Sequence, residues 1–134
     1  MTERRRFARE RESVPKARHF AQRVLSGLPE EIVSTVALMV SELATNAVQH
    51  AATDFEVAIE QVDGEIRVEV SDNGGGQATR RSPAPSESSG RGLQLVEVMA
   101  DQWGVRVAPR NTGKTVWFQL VATTESESFQ SSAS

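Results

Sequence analysis

Between Val33 and His50 the chain reads VSTVALMVSELATNAVQH, and its apolar residues fall on nearly every face of a helix. Val33, Val36, Leu38, Met39, Val40, Leu43, Ala44, Ala47 and Val48 leave little room for a wet side. A helix of that kind is usually buried. Glu42 and Asn46 interrupt the pattern, and a spacing of four puts them on one face, one turn apart. Two meanings are open. Glu42 is either a solvated carboxylate at a surface end of an amphipathic helix, or one aimed with a neutral oxygen donor into a pocket. Carboxylates are seldom buried without a partner or a task.

Upstream, Ala17, Phe20, Ala21, Val24 and Leu25 recur at helical spacing. Ser13 is placed to cap that helix, Pro15 suits its first turn and Gly27 ends it. Pro29 and the acidic pair Glu30–Glu31 open the next helix, with negative charge at its positive dipole end. Residues 4–9 are short enough for either a brief edge strand or a basic arm.

After the long helix the period changes from 3.6 to 2. FEVAIEQV and EIRVEVSD flank Asp63–Gly64, the signature of a type I′ hairpin. Phe55, Val57 and Ile59 share one face with Ile66, Val68 and Val70; Glu56, Ala58, Glu60, Glu65, Arg67 and Glu69 take the other. Continued by one step, the alternation puts Asp72 on the inward face. An Asp there can equally start a turn as the strand ends at Ser71. Its position just before Asn73–Gly74–Gly75–Gly76 favours a ligand contact, because glycines allow close backbone approach.

Residues 77–89 form a polar loop rich in Pro and Ser, long enough to be a lid or an insertion. Gly90–Arg91–Gly92 then leads into LQLVEVMADQ, a helix of about three turns whose free N–H groups suit a phosphate. Trp103, Val105 and Val107 mark a strand, and PRNTG turns the chain into a last one. There Lys114, Val116, Phe118 and Leu120 share a face, opposite Thr115, Trp117 and Gln119. Residues 123–134 are rich in Ser and Glu and predict a disordered tail. The order of elements predicts one α+β domain over residues 1–122, a two-layer sandwich with a mixed, mostly antiparallel sheet. One sheet face packs on the helices. The other, carrying Arg67 and Trp117, is open or covered by a partner.

A chain of 134 residues has room for one domain with a proper core. The absence of cysteine rules out disulfides and thiolate metal sites and fits a reducing, cytoplasmic setting. No apolar run is expected to reach the roughly 20 residues a membrane helix needs, and the charged N-terminus is not a secretory signal. The net charge of −3 conceals an asymmetry. Residues 1–23 carry eight Lys/Arg against three Asp/Glu, and the remainder carries seven against fifteen. Such an arm can meet nucleic acid, an acidic partner or its own body. Without a base-reading motif, direct nucleic-acid binding is not expected.

Nucleotide-binding patterns narrow the chemistry. Gly113–Lys114–Thr115 fails as a P-loop ending, since Ala108 stands where the first glycine belongs and a strand follows instead of a helix. Gly74-x-Gly76 fails as a dinucleotide fingerprint, because Thr79 holds the third position and no helix follows. No zinc pattern is present, and two histidines offer little for a catalytic triad; His50 reads as structural or as a partner for its helix's C-terminal dipole.

Four boxes, SELATNAVQHA (41–51), SDNGGG (71–76), SGRGLQLV (89–96) and GKTVWF (113–118), resemble those of the gyrase, chaperone and histidine-kinase type ATPases, the GHKL superfamily. Their wording is similar to that of the anti-sigma-factor serine/threonine kinases, over roughly residues 4–121. The resemblance implies that Asn46 coordinates a Mg2+ ion on the nucleotide phosphates, a hard ion suited to an amide oxygen. It implies that Glu42 is the general base and that Asp72 accepts a hydrogen bond from the adenine amino group of ATP. Gly74 and Gly76 would let the chain pass under the base. Gly90, Arg91, Gly92 and Leu93 would hold the phosphates, and residues 77–89 would be the lid.

Two positions depart from the family's usual wording. Lys114 stands where a threonine near the adenine is common, and position 75 lacks a common proline. No histidine lies in a phosphoacceptor-like box, which disfavours an autophosphorylating histidine kinase. The resemblance therefore implies a serine/threonine protein kinase that phosphorylates an anti-sigma antagonist protein and sequesters a sigma factor. It also implies a homodimer. The alternatives are a catalytically silent, nucleotide-dependent binding protein and, less so, an ATPase driving a conformational change, for which no transducer domain follows in this sequence.

Overall fold

Asp63 and Gly64 both adopt positive φ, +48° and +78°, as a type I′ turn requires. In the computed structural model, which describes residues 1–51, 53–73, 88–109 and 113–122, this turn joins β2 (Phe55–Val62) to β3 (Glu65–Asp72). It sets the antiparallel register Val57↔Val70, Ile59↔Val68 and Gln61↔Ile66. Phe55, Val57, Ile59, Ile66, Val68 and Val70 are all buried, so the alternation read from the sequence is the alternation of the sheet. Strand β3 runs through Asp72, which pairs with Phe55. The strand does not stop at Ser71.

Three further strands complete the sheet: β1 (Thr2–Phe7), β4 (Gln102–Val107) and β5 (Lys114–Val121). Their order is β1-β2-β3-β5-β4, and all four pairings are antiparallel. The α+β architecture is as expected, with no parallel pair among the described strands. Residues 4–9, open between strand and arm, supply most of β1 up to Phe7. Their charge meets the protein's own surface, where Arg4 lies 3.2 Å from Glu56. Phe7 turns inward, stacking on Phe55 at 5.4 Å and meeting Phe20 edge-on at 6.0 Å.

The helices α1 (Ser13–Val24), α2 (Glu30–His50) and α3 (Ser88–Met99) form the second layer, with α2 between α1 and α3 and resting on β2 and β3. The core lies between the layers, around Phe20, Leu25, Val36, Met39, Val40, Leu43, Val96 and Phe118. Three expectations need correcting. Ser13 does not cap α1. The chain enters the helix through a turn in which the N–H groups of Ser13 and Val14 already bond to the carbonyls of Glu10 and Arg11. The Ser13 hydroxyl is left to donate to the Ala8 carbonyl at 2.6 Å.

Second, α2 is not buried on all sides. Val36, Ala37, Met39, Val40, Leu43, Ala44 and Ala47 are buried, but Leu38 is 43% exposed and Ser34 and Gln49 face outward. Over Glu30–Gln49 it is, by length and composition, apolar enough to cross a membrane, contrary to the reading of the sequence. Its packing against α1, α3 and the sheet is that of a core helix. Third, α3 starts at Ser88, so Gly90–Arg91–Gly92 lies inside the helix and not before it. The tail 123–134 and the loop at 77–87 lie outside the described residues.

On the sheet face away from the helices, the Arg67 guanidinium lies 4.3 Å from the Trp117 ring centroid and donates to Gln119 Oε1 at 3.0 Å. Glu69 accepts from Arg67 at 3.3 Å and faces Arg106 at 3.6 Å. Gly104 makes room for the indole, since a Cβ there would stand 2.8 Å from Trp117 Nε1.

The clasp of Phe7 on Phe55 and Phe20 is what holds an otherwise exposed edge strand. Replacing a buried phenylalanine by alanine costs about 3–5 kcal/mol. Phe7→Ala is expected to lower the stability read from urea unfolding by that order, whereas Arg6→Ala, at an exposed position of the same strand, should change it by less than about 0.5 kcal/mol.

Candidate functional site

Glu42 and Asn46 sit in the second half of α2, one turn apart and each half-buried. They flank the buried stripe of the helix. The Asn46 side-chain oxygen Oδ1 is fully buried and accepts no hydrogen bond, and the Ser41 hydroxyl one and a half turns earlier is in the same state. A buried polar atom left unpaired costs about 1–3 kcal/mol. Such an atom in a folded protein calls for an explanation. An amide oxygen that meets a ligand's cation is one.

Chain geometry carries Asn46 to the end of the sheet where Asp72 lies. α2 ends at His50, four residues past Asn46, and β2 begins at Phe55, the register partner of Asp72. The connection is tied down by Thr53, whose hydroxyl accepts the Asn73 N–H at 3.0 Å, and by Asp54, which accepts the Arg9 N–H at 3.1 Å. Thr53 thus anchors the segment just after Asp72, a role that no pattern in the sequence announced.

Asp72 is half-buried at the end of β3 and stands opposite Lys114, the first residue of β5. Gly113 makes this approach possible. A Cβ on Gly113 would lie 2.5 Å from the Asp72 carbonyl oxygen and 3.3 Å from Asn73 Cα, contacts that only a glycine avoids. On the opposite sheet face the hydroxyls of Ser71 and Thr115 are 2.9 Å apart. A cleft of about 480 Å³ opens at this end of the sheet, lined by Asp72, Asn73, Arg106, Pro109, Lys114 and Thr115 among others. Glu42 and Asn46 do not line that cleft.

Of the residues singled out from sequence, Gly74 and Gly76 lie outside the described residues, as does most of the 77–89 loop. Gly90 and Arg91 fall in the first turn of α3, where N–H groups lack intrahelical partners; Gly92 and Leu93 fall in the second. Helix α3 packs on α2, so the helix bearing Glu42 and Asn46 touches both α3 and the strand that ends in Asp72. Among the described residues no group of three or more His, Cys, Asp or Glu side chains could hold a metal on its own.

Residues 7–120 match the histidine kinase-like ATPase domain. The chain belongs to that family. The match spans the elements from the end of β1 to β5, so this ATPase domain contains both layers of the sandwich. Among curated proteins, none matches the chain significantly.

The unpaired Asn46 oxygen gives a test that separates stability from ligand binding. Asn46→Ala removes a group whose burial is uncompensated, so the ligand-free protein should melt within a few degrees of the wild type. The rise in melting temperature on adding ATP and Mg2+ should be lost.

Proposed function

We propose that this ATPase domain is a serine/threonine protein kinase of the anti-sigma-factor type. It transfers the γ-phosphoryl group of ATP to an anti-sigma antagonist protein and sequesters a sigma factor. The observation that carries the reading is the pairing on α2 of half-buried Glu42 with the buried, unpartnered Oδ1 of Asn46. This supplies a carboxylate and a neutral oxygen ligand on one helical face, in a family that uses ATP.

Phosphoryl transfer depends on positioning and charge neutralisation more than on covalent chemistry from the protein. Asp72 would fix the base by accepting from the adenine amino group, with Gly74 and Gly76 beneath it. Gly90, Arg91, Gly92 and Leu93 lie where α3 begins and would face the phosphates; helix N-termini favour anions there. Asn46 Oδ1 would hold Mg2+, whose remaining ligands would be phosphate oxygens and water, as this ion prefers. When bound, Mg2+ would offset the negative charge of the phosphates. Glu42 would take the proton of the attacking serine or threonine hydroxyl. The new bond forms between that oxygen and the γ-phosphorus, the bond to the bridging oxygen breaks, and ADP carries the electron pair away. A homodimer in the cytoplasm is part of the same proposal.

Incubation with radiolabelled ATP, Mg2+ and the antagonist protein tests the claim. Wild type should label the antagonist, and Glu42→Ala should lower the rate at least about a hundredfold, the low end for loss of a general base. Transfer unaffected by Glu42→Ala would sink the assignment. No transfer by the wild type, with ATP and sigma factor both bound, would leave a silent nucleotide-dependent regulator. Asp72→Asn, which removes the charge and replaces one of the two acceptor oxygens by an NH2 donor, should weaken ATP binding by about tenfold or more in a titration.

A further inference from the structure

The sheet has two outer strands, β1 and β4, and they meet solvent differently. An outer strand offers unpaired N–H and C=O groups to any chain that lies beside it, and charged side chains guard against that. Strand β1 carries Glu3, Arg4, Arg5 and Arg6 in a row, all exposed. Two such strands laid antiparallel would bring arginines opposite one another. Strand β4 has Arg106 as its one charge, and leaves Val105 42% and Val107 56% exposed. The Ala108 N–H donates to the Gly113 carbonyl, in the register that pairs Val107 with Lys114 and Val105 with Val116. Hydrogen-bonded pairs alternate along an antiparallel ladder, so Gly104 and Arg106 also turn their backbone groups toward β5. Trp103, Val105 and Val107 turn theirs outward, to an edge that no described strand covers.

We infer that β4 is a dimerisation edge: it pairs antiparallel with β4 of a second copy about a two-fold axis at Val105, joining the two sheets into one. The inference rests on the homodimer put forward with the proposed function and says which surface forms it. A two-fold interface sets a patch against itself, so the edge must be its own complement. With the axis at Val105 it is. Val105 meets Val105 of the other copy, and Val107 meets Trp103, so the three apolar side chains cover one another on the helix side of the sheet. Their outward N–H and C=O groups are the ones this pairing uses. On the other sheet face Arg106 falls opposite Gly104 of the other copy, beside the Trp117 indole that fills the space above that glycine. An arginine next to an indole is a favourable neighbour. Moved one residue toward Gly104, the axis would set Val107 against Asp101. Moved one residue toward Arg106, it would bring two guanidinium groups together. Neither shift keeps the match.

The chain holds no cysteine, so a single introduced thiol reports on a single contact. Val105→Cys puts that thiol on the axis, facing its own copy at a Cα spacing of about 5.5 Å, which a disulfide can span. Under mild oxidation the full chain with Val105→Cys should run as a covalent dimer on a non-reducing gel. Arg6→Cys, exposed on the opposite edge, should stay monomeric on the same gel. Light scattering should give twice the chain mass for the wild type. For Val105→Lys, which sets two ammonium groups on the axis, it should give the mass of one chain, with a circular dichroism spectrum like that of the wild type. Should Val105→Lys misfold, the milder Val105→Cys still decides. A wild-type dimer that Val105→Cys does not lock would place the contact elsewhere, overturning the inference and leaving the homodimer standing. Equal cross-linking by Arg6→Cys would mark random collision and overturn it too. A wild type that stays monomeric would overturn the homodimer and this inference together.

Discussion

The register of β2 on β3 is the constraint on which the other positions depend. It is set by two residues, Asp63 and Gly64, whose positive φ angles match the twist of the strands they join. Because side chains alternate with a period of two, a slip of one residue would turn the whole inner set of Val57, Ile59, Val68 and Val70 out to water. The same slip would take Asp72 off the face it shares with Lys114. The residue just past β5 is tied to this turn as well, since the Ala122 N–H donates to the Gly64 carbonyl. One turn thus fixes both the core and the far end of the sheet, eight residues away along β3.

A second constraint acts on α2. The helix must bury a stripe between α1, α3 and the sheet and still carry two polar side chains, Glu42 and Asn46, in its second half. It does so by giving each task its own angular sector. Val36, Met39, Val40, Leu43 and Ala47 face the core, while Glu42 and Asn46 lie at its margin, half-covered. Full burial of Glu42 would add a large desolvation cost, and full exposure would leave its charge screened by water. Half-burial is a compromise between them.

Much of this was legible in the sequence because it follows from periodicity. The period of two between Phe55 and Asp72, the Asp-Gly turn and the inward parity of Asp72 all carried over to the structure. So did the proline and acidic start of α2. What was not legible depended on neighbours distant in sequence. Leu38 reads as core by its chemistry, yet among the described residues it stays 43% exposed. Ser13 reads as a cap, but a preceding turn had already satisfied the first N–H groups of α1. Thr53 had no motif to announce it, because its task is to hold Asn73, twenty residues away. The start of α3 was misplaced because glycine is a poor helix former, and Gly90 and Gly92 looked like the flank of a helix and not its interior.

The polar groups of the site share one circumstance. Asp72 ends β3, Lys114 begins β5, and Asn46 lies one turn from the end of α2, all where the layers part. Deeper in the sandwich each would lose its water without regaining a partner; farther out, its interactions would be screened. The margin of the core is the place where a fold can hold charge in fixed geometry at tolerable cost. Gly113 shows how closely the strands approach here, for a single methyl group would push β3 and β5 apart at the point where Asp72 stands opposite Lys114. The buried Asn46 oxygen follows the same logic. Its missing hydrogen bond is a cost that an electropositive partner at that oxygen would remove.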